Sequence, residues 1–256
     1  MKLSDQVVLV TGAGRGLGAA IAAAFVREGA RVIVNYRRSA DAANNLVGRL
    51  GARALAQQGD VTERGDVNRI VAEARQKFGH PITTVVNNAL GDYRFMGDAR
   101  PRGEVISWND FDGQFVAAVR GALNTIQATF GEMATAKFGR IINIGTNLFQ
   151  NPVVPYHDYT AAKAAVLSLT RTMAVELGPS GITVNMVSGG LLRKTDASAA
   201  TPDSVFDFVA SITPLGRVTT PEEFADTVLF FASPHQAVRL AHLIRVHAKD
   251  GRYRMA

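Results

Sequence analysis

Short apolar runs rich in β-branched residues recur along the chain, each followed by a longer stretch whose apolar positions return every three or four residues. Val7–Val10, Arg31–Tyr36, Arg53–Gln57, Thr84–Asn87, Arg140–Ile144 and Thr183–Val187 show little alternation. That is the pattern of strands buried on both faces of a parallel sheet. Leu17–Glu28, Asp41–Leu50, Glu63–Phe78, Asp110–Ala136 and Tyr159–Leu177 carry helical spacing, and Gly29, Gly79 and Gly178 stand where helices stop. Alternating strands and crossover helices predict an α/β fold with a doubly wound parallel sheet. Its ligand crevice lies at the carboxyl ends of the strands. Residues 1–256 then form one domain, with 235–256 as a divergent tail.

The first strand runs into Thr11-Gly12-Ala13-Gly14-Arg15-Gly16-Leu17-Gly18, which opens the first helix. Glycines there let backbone N–H groups approach a diphosphate whose charge the helix N-terminus favours. Glycines also simply make turns; the strand–turn–helix setting identifies this one as the dinucleotide site of a Rossmann-type sheet. An NAD site calls for an acidic residue at the end of the second strand, to accept from the ribose hydroxyls. This chain has Asn35-Tyr36-Arg37-Arg38 instead, with Arg15 in the turn. Guanidinium groups suit a 2′-phosphate, so NADPH is expected and NAD disfavoured.

Tyr159-Thr160-Ala161-Ala162-Lys163 begins the long helix after the fifth strand. Residues four apart share a helix face, so the phenol and the ammonium reach one site. A nearby ammonium favours the phenolate and is expected to lower the tyrosine from its usual value near ~10. Tyr159 then hands a proton to a carbonyl oxygen as hydride reaches carbon.

Composition narrows the class. The chain has 256 residues, 47% apolar and 20% charged, as a globular protein does. No run approaches the roughly 18 to 20 apolar residues of a membrane span. A strand pattern from Val7 leaves no room for a signal peptide, and a cytoplasmic location is expected. Without cysteine there is no disulfide, thiolate metal site or cysteine nucleophile, and the five histidines show no ligand spacing, so no metal is expected. Most of the net charge of +6 gathers in residues 235–256, where Arg239, Arg245, Lys249, Arg252 and Arg254 face Asp250 alone and leave the rest of the chain close to neutral. The basic balance therefore describes a tail rather than a nucleic-acid surface.

Taken together, Thr11-Gly12-x-x-x-Gly16-x-Gly18, Asp60-Val61, Asn87-Asn88-Ala89, Tyr159-x-x-x-Lys163 and the Asn185 to Gly190 segment resemble the classical short-chain dehydrogenase/reductase family. The likeness is to its 3-oxoacyl-acyl-carrier-protein reductase-like members and covers roughly residues 5 to 234. It implies that Gly12, Arg15, Gly16, Leu17, Gly18 and Arg37 bind the nucleotide, with Asp60 and Val61 at the adenine and Asn87 and Ala89 beside its ribose. It also implies a catalytic set of Thr146, Tyr159 and Lys163, the threonine standing where serine is usual and the lysine also holding the nicotinamide ribose. A homotetramer is implied, through the helices 110–136 and 159–177, with a dimer as the alternative.

Three departures stand out. Ala118 occupies the place of an asparagine whose amide supports a proton-relay water near the lysine. Ser188-Gly189-Gly190 replaces the usual Pro-Gly, and Lys194 stands where a threonine is usual. After Pro234 the family's terminal strand motif is absent; Leu240, Leu243 and Ile244 suit a short helix, whereas Ile244, Val246 and Ala248 alternate as a strand does.

Three irregular segments border the expected crevice: Gly91 to Trp108 with Tyr93, Phe95 and Met96, Leu148 to Asp158, and Leu191 to Ile212, which reads as a lid with Phe206 and Phe208. They suggest an apolar pocket for a ketone on an acyl chain or a ring. The expected reaction is NADPH-dependent reduction of a small-molecule ketone or acyl thioester. An acyl carrier protein is a candidate partner docking on bases such as Lys137 and Arg171. The competing readings are another secondary-alcohol dehydrogenase and a non-catalytic NADP-binding sensor.

Overall fold

In the computed structural model the strands are β1 (Val7–Val10), β2 (Arg31–Tyr36), β3 (Ala54–Gln58), β4 (Thr84–Asn87), β5 (Gly139–Thr146), β6 (Ile182–Gly189) and β7 (Leu243–Val246). They pair in parallel in the order β3-β2-β1-β4-β5-β6-β7. The chain direction of build-up reverses between β1 and β4, which opens a crevice at their carboxyl ends. The structure describes residues 1–91, 95–193, 195–234 and 243–246. Tyr93, Lys194 and the basic side chains of the tail lie outside the described residues.

The helices are α1 (Gly16–Arg27), α2 (Ala40–Leu50), α3 (Arg64–Phe78), α4 (Trp108–Phe115), α5 (Gly121–Thr135), α6 (His157–Leu177), α7 (Asp203–Ser211) and α8 (Pro221–Ala232). Val8, Val10, Val32, Val34 and Ile142 pack with α1 and α8 on one face of the sheet. Val7, Leu9, Ile33, Val85 and Ile141 pack with α3, α5 and α6 on the other. Both faces are dry, which is why the strand sequences lack alternation.

The doubly wound sheet is as expected; several boundaries are not. The single helix expected over 110–136 is interrupted by a π turn at Val116–Arg120 between α4 and α5. A one-residue insertion in the helical ladder leaves composition unchanged and only shifts phase, so the apolar spacing does not reveal it. The expected lid of 191–212 contains α7. The unexpected helix α8 starts on a capping box, in which Thr220 accepts from the Glu223 N–H and Glu223 from the Thr220 N–H, with Pro221 in the first turn. Of the two readings of the tail, the strand holds for 243–246, which pairs with Met186–Gly189.

Phe224 of α8 is fully buried against the sheet, and a Cβ on Gly189 would lie 2.6 Å from its ring. Phe224→Ala is expected to destabilise the fold by about 3–5 kcal/mol. Urea unfolding followed by circular dichroism measures this; a loss under ~1 kcal/mol would contradict the packing of α8 on β6.

Candidate active site

The glycine turn is held from both sides by side chains of neighbouring strands. On the β2 side, Asn35 accepts the Gly12 N–H at 3.3 Å and donates to the carbonyls of Gln57 and Gly59. On the β4 side, the Asn88 amide donates to the carbonyls of Thr11 and Gly12, and the Thr11 hydroxyl accepts the N–H groups of Asn88 and Ala89. Gly12 has φ of +61°, and a Cβ there would sit 2.9 Å from Ala89 Cα. On Gly18 it would sit 2.5 Å from the Gly12 carbonyl oxygen. Larger residues would push the helix start off the strand end. Arg15 caps α1 and is exposed, while Leu17 is half-buried within its first turn.

At the carboxyl ends of β2 and β3, Arg37 lies 3.3 Å from Asp60. Burial opposes ionisation of Asp60, but hydrogen bonds from the Thr62 backbone and hydroxyl, together with Arg37, outweigh it and hold the carboxyl below its usual range. The two expected nucleotide residues are thus joined to each other in this structure. Ser39, at the start of α2, packs on the turn, since a Cβ on Gly14 would meet its hydroxyl at 2.6 Å. Val61 follows, buried, with its carbonyl held by Asn124 at 2.9 Å.

Thr146 ends β5, and Tyr159 and Lys163 lie in the first two turns of α6. All three are buried, at 5%, 8% and 5% exposure. The Thr146 hydroxyl neighbours the Tyr159 phenol and favours its ionised form. The Lys163 ammonium donates to the Ile144 carbonyl at 2.7 Å and lies 5.9 Å from the centre of the Tyr159 ring. The expected lowering of the phenol gives way to burial, which pushes Tyr159 up to about 12 against the opposing effect of Thr146. Burial likewise brings Lys163 down to about 8. At neutral pH the phenol carries its proton, the form required of an acid.

Behind Lys163 a small cavity is lined by Thr11, Val61, Asn87, Ala89, Ala118 and Gly121 among others. Ala118 therefore lines the same cavity as the lysine, and its side chain brings no polar atom. Asn87 lines the same cavity, yet its amide is committed inward: it donates to Asn143 at 2.8 Å and accepts from Thr125 at 2.7 Å. Asn143 in turn donates to Thr170 of α6. This largely buried chain joins α5, β4, β5 and α6 beneath Thr146, Tyr159 and Lys163.

Sequence reasoning missed Asn35 and Asn88 as the locks of the turn, and Thr195, whose Cβ lies 3.7 Å from where a Gly16 Cβ would be. A threonine thus reaches the phosphate turn one residue after Lys194. Its hydroxyl and that of Ser198 lie 3.1 Å apart and fasten the start of the lid. Among the described residues no three acidic or histidine side chains gather as a metal site, and no helix is long and apolar enough to cross a membrane.

Residues 12–246 match a family model described as enoyl-(acyl carrier protein) reductase. Versicolorin reductase 1 of Aspergillus parasiticus is 34% identical over 248 residues, 91% of either chain. The 3-oxoacyl-[acyl-carrier-protein] reductase of Synechocystis is 34% identical over 236 residues, 90% of either chain. Among solved structures, 3-ketoacyl-(acyl-carrier-protein) reductase of Brucella melitensis, complexed with NADH, has a TM-score of 0.83 at 28% identity, covering 95% of this chain and 98% of that one. With its glycine turn, hydroxyl pair and lysine at one mouth of the sheet, the chain belongs to the classical short-chain dehydrogenase/reductase family and is similar to its 3-oxoacyl-acyl-carrier-protein reductases.

Proposed function

We propose that the protein is an NADPH-dependent carbonyl reductase in which Tyr159 is the general acid. One observation carries this reading: the Thr146 hydroxyl, the Tyr159 phenol and the Lys163 ammonium are buried together where β5 ends and α6 begins. The residues fit a dinucleotide. Gly12 and Gly18 let the start of α1 pack closely on the strand ends, so that its N-terminal N–H groups can meet a diphosphate, and Arg15 at that start and Arg37 after β2 offer guanidinium groups for a 2′-phosphate. When bound, the reduced nicotinamide supplies a hydride to the carbonyl carbon.

Thr146 donates a hydrogen bond to the substrate oxygen and orients it. Tyr159 transfers its phenolic proton to that oxygen as negative charge develops, giving the alcohol. Lys163 stabilises the phenolate left behind and holds ribose hydroxyls, which gives its buried charge hydrogen-bond partners beyond Ile144.

Relatives that reduce versicolorin and relatives that reduce 3-oxoacyl groups leave the ketone open between a ring and an acyl thioester. Carrier-protein docking through Lys137 loses support: Lys137 lies two residues before β5, at the edge of the sheet opposite the site. Arg171 lies three turns along α6 from Tyr159. A homo-oligomer in the cytoplasm, tetrameric or dimeric, is part of the proposal. Exposed Trp108, Phe130 and Val175 on α4, α5 and α6 supply apolar surface for it.

A panel of ring ketones and 3-oxoacyl thioesters, scored by NADPH consumption, tests the function. Binding of NADPH without turnover of any carbonyl would favour the sensor reading. Tyr159→Phe is expected to lower kcat/KM by about 10²- to 10⁴-fold while still binding NADPH; full activity would refute the acid role. Arg37→Asp is expected to weaken NADPH about 10- to 100-fold by calorimetry and to narrow its advantage over NADH. An unchanged preference would return the cofactor assignment to NADH. Because Lys163 loses its charge above about 8, kcat/KM for NADPH is expected to fall as pH rises through that value. A flat profile from pH ~7 to ~10 would contradict the lysine's role.

A further inference from the structure

The ring of Phe95 stands edge-on to two tyrosines at once: its centre is 5.3 Å from that of Tyr156 at 80°, and 5.2 Å from that of Tyr159 at 86°. Both distances and angles are those of favourable aromatic pairs. The segment bearing Phe95 is tied to the loop ahead of α6 by two hydrogen bonds and braced by a third within itself. The buried Tyr156 hydroxyl accepts the Gly97 N–H at 2.9 Å, and Arg100 donates to Pro155 and Gly97 carbonyls at 3.2 and 2.8 Å. Two loops from different parts of the chain thereby make one aromatic wall against the ring of the proton donor.

A carbonyl oxygen bonded to the Tyr159 phenol carries its substituents within reach of Phe95, because the phenol oxygen belongs to the ring that Phe95 touches. What lies there is a quadrupole without a charge or a hydrogen-bonding atom of its own. A flat ring gains from such a wall by stacking or edge contact, about 2- to 10-fold in affinity beyond its buried area. A flexible chain gains only its area and loses rotamer freedom in doing so.

We infer that Phe95 is a specificity-determining residue, held by Tyr156, and that it selects a ketone carried on a flat or fused ring over one on a flexible acyl chain. The inference rests on the reading of Tyr159 as the acid at this site. It is tested with two probes, 2-tetralone and acetoacetyl-CoA, each with saturating NADPH. The wild-type protein is expected to favour the ring ketone at least tenfold in kcat/KM. Phe95→Leu, which keeps apolar bulk but removes the π face, is expected to cut that ratio at least fivefold, mainly through KM of the ring ketone. Phe95→Tyr is expected to restore it.

A preference for the thioester in the wild-type protein, or a ratio that Phe95→Leu does not move, would overturn the inference while leaving the reductase reading intact. General damage to the fold lowers both substrates together and leaves the ratio in place, so it counts against the inference. Turnover of neither probe, with NADPH bound, would overturn both readings.

Discussion

The site is organised around an ammonium that the sheet has taken out of water. Lys163 is almost wholly buried, and the bond it makes is to the Ile144 carbonyl, a dipole rather than an anion. Bringing its pKa from 10.5 to about 8 costs the folded state roughly 3 kcal/mol in the charged form. The folded-state value is depressed, so the penalty is present in full below about 8 and is relieved as pH rises towards the unfolded value. Chains do not retain such a cost for packing, since an apolar residue would fill the space without it. A buried cation waiting for hydroxyl groups fits a lysine that meets a ribose and a phenolate, and its helix places it one turn beyond Tyr159.

Around that charge the two halves of the site are held differently. The nucleotide half is a floor: Asn35 and Asn88 bind the backbone of the glycine turn from the ends of β2 and β4, and the Thr11 hydroxyl within it accepts from the chain after β4. The Thr125-Asn87-Asn143-Thr170 chain continues the same structure under α6. Each of these buried amides satisfies its partners, so changing one leaves the others unpaired and costs more than the bond itself. The substrate half is a wall of loops, fastened by Tyr156 and Arg100 at its edges. A reductase can vary the wall without disturbing the floor, which is the usual division between scaffold and specificity.

The legibility of the sequence follows that division. The strands were readable because burial on both faces writes a continuous apolar run, and β1, β2 and β4 begin and end where the pattern does. The glycine turn, Tyr159 and Lys163 were readable because backbone approach and helix spacing each impose a local rule. What escaped depends on distance in the chain. Asn35 and Asn88 look like polar residues at strand ends until the turn is seen between them. Arg37 and Asp60 were assigned separately to the nucleotide, and their pairing comes from β2 and β3 ending side by side. Phe95 meets Tyr159 across 64 positions, which no periodicity records. The helix α8 is a different case: Thr220, Pro221 and Glu223 form a local start signal that was there to be read.

Ala118 ties the floor to the chemistry. An amide there would stand between α5 and Lys163; the structure has two alanines and a small cavity, bounded also by the polar side chains of Thr11 and Asn87. The π turn at Val116–Arg120 carries Ala117 and Ala118 against this space. A methyl cannot accept a proton or offer one, so proton supply to Tyr159 falls to groups outside this position: the Thr146 hydroxyl, the lysine itself and solvent entering from the crevice. Under the proposed acid role of Tyr159, the polar groups left at hand are the Thr146 hydroxyl and the Lys163 ammonium, carried by β5 and α6.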